Sequence, residues 1–213
     1  MIDTLWGLAL AAAAFFGVHL LPSVPGLRSR LIVRLTRNGY RGLFSLFAAA
    51  SFGWLIAAHR GPYDALWEGG PWARLIPLAV LPVALCLLIL VYSAPVEAKK
   101  IVRHPMLTAT LLWALAHIVP NGDAGSLILF GGFALFALID MPLNDSRVRR
   151  DEPALWAERA RTTSMIPFVA LIQGRAGALD RPRVLLRGVL PAIVVYLVIL
   201  FAHEFVFGLS GLP

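Results

Sequence analysis

Six stretches of this chain are apolar enough to cross a bilayer: 4–22, 42–58, 72–94, 105–120, 125–141 and 187–207. A helix needs about 20 apolar residues to span a hydrocarbon core of about 30 Å. Lipid also requires every backbone polar group to be satisfied within the crossing segment. The pattern predicts an all-α, polytopic transmembrane helix bundle of about six spans, folded as a single domain over residues 1–213. The stretches at 42–58 and 105–120 are short and call for tilt or local thinning, so five spans is the alternative. Pro77, Pro82 and Pro191 each free a backbone carbonyl that neighbours must satisfy. Composition agrees. Hydrophobic residues make up 59% of the chain and charged residues 15%, against about 45–50% and about 25% in soluble domains. That excludes a water-soluble globule and a disordered chain. The single cysteine, Cys86, excludes an internal disulfide and a multi-cysteine metal site. Asp3 ahead of the first stretch does not fit the positive start of a signal peptide, so that stretch reads as a retained span.

All but two of the 19 Lys and Arg residues fall in three connections: after span one, between spans three and four, and across 142–186 up to Arg187. The exceptions are Arg60 and Arg74. The positive-inside rule assigns the three connections to the cytoplasm, with both termini outward and the inner membrane as location. Topology thus accounts for the net charge of +7, and nucleic acid is not required. In 27–36, Leu27, Leu31 and Leu35 recur every four residues between arginines, a short amphipathic helix suited to anionic headgroups. Segment 151–161 runs from acidic to basic, matching a helix dipole, and offers Leu155 and Trp156 for docking.

Ionisable groups inside a bilayer are costly and call for a reason. His19 and His104 lie toward the cytoplasmic side, while His59, His117 and His203 lie toward the outer side. Histidine offers a lone pair and is a common metal and haem ligand; its ordinary alternative is a helix-end residue bonded to water or backbone. Trp113, His117 and Asn121 recur every four residues. That stripe either sets an aromatic wall and a donor beside an imidazole or simply packs in the bundle. The cytoplasmic layer adds Arg103, Asp140 near the end of the fifth stretch, and Tyr40 with Arg41. An Asp close to an Arg at this boundary is expected to form an ion pair of structural role. His104 with Arg103 at a helix start suits an anionic ligand group.

The order of motifs is familiar. Gly-Val-His-Leu-Leu-Pro-Ser-Val-Pro-Gly-Leu-Arg (17–28), Asn-Gly-Tyr-Arg-Gly-Leu-Phe-Ser-Leu (38–46), Arg-His-Pro-Met-Leu (103–107), Leu-Trp-Ala-Leu-Ala-His-Ile-Val-Pro-Asn-Gly-Asp (112–123) and Thr-Thr-Ser-Met-Ile-Pro-Phe-Val-Ala-Leu-Ile-Gln-Gly-Arg (162–175) occur together. In this combination the chain resembles the NnrU family of membrane proteins over nearly its whole length. The resemblance implies a link to denitrification and nitrogen-oxide handling. Its plant and cyanobacterial branch, the 15-cis-zeta-carotene isomerase, implies haem b and cis–trans isomerisation of a hydrophobic polyene. The branch's haem ligands match His19 and His117. Helical rise separates those two by about 14 Å along the membrane normal, whereas two axial nitrogens on one iron lie about 4 Å apart. His19 with His104 would match in depth.

Arg103, His104 and Pro105 also resemble the isoprenylcysteine-type membrane methyltransferases, as do Asp151 with Glu152 and Ile166 with Pro167 in order. That resemblance implies S-adenosylmethionine held at the cytoplasmic face by Arg103 and His104. Met106 and Leu107 depart from its usual tyrosine, and the closing segment lacks a basic residue before its proline. A non-enzymatic accessory role is the third reading, and no catalytic residue is assigned. The expected partners are the bilayer and a hydrophobic small molecule.

Overall fold

The computed structural model describes residues 4–60, 64–208 and 211–212; Asp3 lies outside them. Among the described residues the chain is helical, with no strand beyond one isolated bridge. The elements are α1 (Leu5–Leu20), α2 (Leu27–Ala58), α3 (Leu75–Ser93), α4 (Pro95–Ile101), α5 (Pro105–Ile118), α6 (Ala124–Asp151), α7 (Pro153–Thr162), α8 (Val169–Ile172), α9 (Arg181–Val184) and α10 (Leu190–Phe207). A π-turn, Leu185–Val189, joins α9 to α10.

Local chemistry starts these helices. Thr4 Oγ1 caps α1 by accepting from the Gly7 amide, and Asp123 caps α6 by accepting from Ser126. Proline opens α4, α5 and α7, where its missing N–H costs nothing. α2 is two pieces: Thr36 adopts φ 63°, ψ 166°, and its hydroxyl then caps the next turn by accepting from the Gly39 amide. The amphipathic piece thus ends at the expected residue. The span beyond it is longer than 42–58, because helix resumes directly after Thr36. α6 likewise outruns the expected end at Met141, continuing through Pro142 to Asp151.

Five segments are long and apolar enough to cross a membrane: Leu5–Ser23, Leu27–Ala58, Pro71–Ser93, Ala124–Asp151 and Arg181–Val206. The expected fourth span is α5, with 14 residues, about 21 Å of helix. Packing runs in the order α2, α1, α6, α5, α3, α10, so the short helix sits between α3 and α6 inside the bundle. One apolar cluster joins α1, α2, α5 and α6 through Leu8, Phe15, Leu55, Leu129 and Phe130; a second joins α3, α4 and α5 through Leu87, Leu90, Val102 and Ala109. Alanines 11, 12, 58, 114 and 134 fill the first, and small residues let lipid-immersed helices approach closely. A Cβ on Gly132 would collide with the Phe16 ring. Outward faces carry large apolar side chains such as Trp6, Tyr92, Val198 and Phe205.

The arginine-rich connections gather at one end. Ser23 donates to Asp140 at 3.3 Å, and Phe168 N–H donates to the Ile101 carbonyl at 2.7 Å. At the other end, the amides of Leu66 and Trp67 both donate to the Gly122 carbonyl (2.8 and 3.0 Å). Trp67 Nε1 donates to Val119 O at 3.2 Å, clasping the α2–α3 loop onto the α5–α6 turn.

Candidate functional site

The polar residues form two separate layers. At the arginine-rich end, Arg103 closes the gap between α4 and α5 and is held from three directions. Its Nη1 donates to Asp145 Oδ2 at 2.7 Å, Nε to Thr163 Oγ1 at 2.9 Å, and Nη2 to the Thr163 carbonyl at 3.3 Å. The guanidinium also lies 5.1 Å from the Trp156 ring centroid, a cation–π contact. His104 Nε2 sits 3.0 Å from Asp145 Oδ1, and a carboxylate beside it makes that nitrogen the donor. Burial pushes the His104 imidazole below the ordinary histidine range, with Asp145 pulling the other way.

The Asp–Arg ion pair expected at this boundary is made by Asp145 with Arg103 and not by Asp140. Continuing α6 past Pro142 brings Asp145 under Arg103, and Asp140 turns to Ser23 instead. Trp156 docks as expected, whereas Leu155 points outward at 46% exposure. Arg103 commits its guanidinium to Asp145 and Thr163, and His104 commits its Nε2 to Asp145.

The second layer lies among α1, α2, α5 and α6. His19 Nδ1 is 2.8 Å from the Phe15 carbonyl, and His117 Nδ1 is 2.8 Å from the Trp113 carbonyl. A carbonyl only accepts, so each Nδ1 is the donor, and in the neutral tautomer of either ring the lone pair is at Nε2. Asn121 Nδ2 donates to the His117 carbonyl at 2.7 Å. The His19 ring contacts Phe15 (4.3 Å between centroids), Phe44 (5.6 Å) and Phe136 (5.9 Å). The His117 ring stacks on Phe130 at 5.0 Å and meets Trp113 at 5.4 Å.

Between the two imidazoles runs a row of ring contacts: Phe15 to Phe133 at 5.4 Å, then Phe133 to Trp113 at 5.2 Å. On α6, His117 is read by Phe130 and His19 by Phe136. Six residues of helix are about 9 Å of rise, while two axial nitrogens on one iron are about 4 Å apart. In this packing each imidazole suits single axial ligation better than the two suit a shared iron. His59 approaches Phe130 from α2 at 6.4 Å, and His203 on α10 lies within electrostatic range of His117. Among the described residues, no group of three or more His, Cys, Asp or Glu side chains converges as a metal site.

Sequence reasoning missed Asp145, Thr163 and the phenylalanines. The signal for the last was present: Phe130, Phe133 and Phe136 recur every three residues. Asp145 carried none, because it lies beyond the apolar stretch that ends at Met141.

The family model described as NnrU protein matches residues 7–211. No curated protein and no solved structure matches the chain. Motif order, bundle architecture and a match over nearly the full length agree: the chain belongs to the NnrU family.

Proposed function

We propose that this membrane protein binds haem b within the bundle, with His117 or His19 as axial ligand, and works in nitrogen-oxide metabolism at the inner membrane. The observation that carries this reading is the pair of 2.8 Å contacts from Nδ1 to a carbonyl one turn back. Such a bond fixes the tautomer and aims Nε2, as partners of metal-bound histidines do. Held through one histidine, the group would supply iron that can bind a diatomic molecule. The surrounding residues hold the site dry: Phe15, Phe130, Phe133, Phe136 and Trp113 leave little polar surface beside either imidazole. Polyene isomerisation is the second reading, favoured by the same unbroken row of rings, which offers a long apolar wall.

Absorbance of the protein purified after haem-supplemented expression tests the proposal. A Soret band that His117→Ala or His19→Ala abolishes supports it, and the variant that abolishes the band names the ligand. A colourless preparation, or a band unchanged in both variants, overturns it. If the band shifts with nitric oxide, the nitrogen-oxide reading stands over the polyene one; conversion of a cis-carotene without that shift reverses the ranking.

A further inference from the structure

Among the described residues, seven cations of the later connections have an ion pair or side-chain hydrogen bond within the chain, while Lys99, Arg147, Arg149, Arg159 and Arg181 have neither. In the later connections, Lys100 pairs with Glu97, Arg103 with Asp145, Arg150 with Asp151, Arg161 with Glu158 and Arg183 with Asp180. Arg175 donates to the Ala160, Arg161 and Thr163 carbonyls, and Arg187 to that of Ser93. Arg28, Arg30, Arg34, Arg37 and Arg41 are different. All five are exposed, and no Asp or Glu occurs anywhere between Asp3 and Asp64. Five guanidinium groups thus crowd into a short stretch with no internal counter-charge nearby in sequence.

The backbone isolates the first part of that stretch, which carries Arg28, Arg30 and Arg34; Arg37 and Arg41 open the helix beyond the break. This first part begins after Gly26, at φ 72°, and breaks at Thr36, at φ 63°, so the first piece of α2 is set apart from the spans on both sides. It links the arginine-rich end of α1 to the start of the next span. Its two ends are fixed by α1 on one side and by the helix that resumes after Thr36 on the other. Leu27, Leu31 and Ile32 are half-buried, while Val33 stays 85% exposed.

We infer that residues 27–41 form a docking surface for the phosphate headgroups of anionic phospholipids. Guanidinium groups match phosphate oxygens two at a time, and the missing counter-charge must come from outside the chain. Anionic headgroups of the adjoining leaflet supply it. A cation beside an anionic surface strengthens binding about fivefold, so removing three arginines weakens it about a hundredfold. The attraction is screened by salt.

The full-length protein in neutral detergent is titrated with short-chain phosphatidylglycerol, and thermal unfolding is followed. Phosphatidylcholine of the same chain length and inorganic phosphate are the controls. The expected result is stabilisation by phosphatidylglycerol alone. Its half-saturating concentration should rise with salt, and rise about a hundredfold in Arg28→Gln/Arg30→Gln/Arg34→Gln. The pair Arg37→Gln/Arg41→Gln should raise it about 25-fold, and serves if the triple variant does not fold. Equal stabilisation by phosphatidylcholine, stabilisation by phosphate alone, or an unchanged half-saturating concentration in the variant that folds overturns the inference.

Discussion

Replacing Asp145 by asparagine removes the charge on which two elements converge. The carboxylate is about nine-tenths buried; its Oδ2 accepts from Arg103 at 2.7 Å and its Oδ1 from His104 at 3.0 Å. Breaking a buried ion pair by removing one partner costs about 3–5 kcal/mol, because the remaining charge is left uncompensated. The lower end applies here. The substituted amide would keep one acceptor oxygen, and Thr163 still holds two of the Arg103 nitrogens. For a chain of this length about 3 kcal/mol corresponds to a fall of about 6–12 °C in the unfolding midpoint. Thermal unfolding in one detergent at constant pH measures it. Replacing both partners with apolar residues, Arg103→Met/Asp145→Leu, removes the stranded charge and should recover at least half of the loss. A fall below about 2 °C in Asp145→Asn, or a double variant less stable than either single one, would refute the argument from buried charge.

Two other consequences concern pH and close packing. Burial holds the His104 imidazole below its unfolded value of about 6.5. The unfolded chain therefore takes up protons first, and the stability present above about pH 6.5 is lost as pH falls from there through the lowered folded value. Unfolding midpoints between pH 7.5 and 5 should fall on acidification, with a shallower slope in His104→Gln. Gly122→Ala places a methyl group against the Trp67 backbone carbonyl, which two amide bonds to Gly122 O hold in place. A loss of about 1–3 kcal/mol is expected from overpacking, measured as a lower unfolding midpoint with a changed tryptophan emission. Gly17→Ala, which meets nothing within 4 Å, should leave both unaltered.

Much of the fold could be read along the chain because lipid simplifies the problem. Apolar runs locate the helices, and the distribution of Arg and Lys assigns three connections to one end, where Arg103, Thr163, Ser23 and Asp140 meet. The stop at Thr36 was legible from leucines at four-residue spacing that give way to Asn38 and Gly39. The end of α6 was not legible, because the apolar run stops at Met141 while the helix continues through Pro142 to Asp151. Asp145 and Val148 are buried beyond the proline, and that packing outweighs the lost hydrogen bond.

The candidate site divides along the same line. Sequence alone named His19, His104, His117, Arg103, Trp113 and Asn121, since polar groups in an apolar segment stand out one by one. It also determined the family through the order of motifs. Which carboxylate neutralises Arg103, which imidazole nitrogen is left free and which rings stand between His19 and His117 were decided only by tertiary packing. Those facts depend on where six helices lie side by side. A one-dimensional pattern fixes the depth of a residue and the face of the helix it occupies, but not the neighbour across the gap.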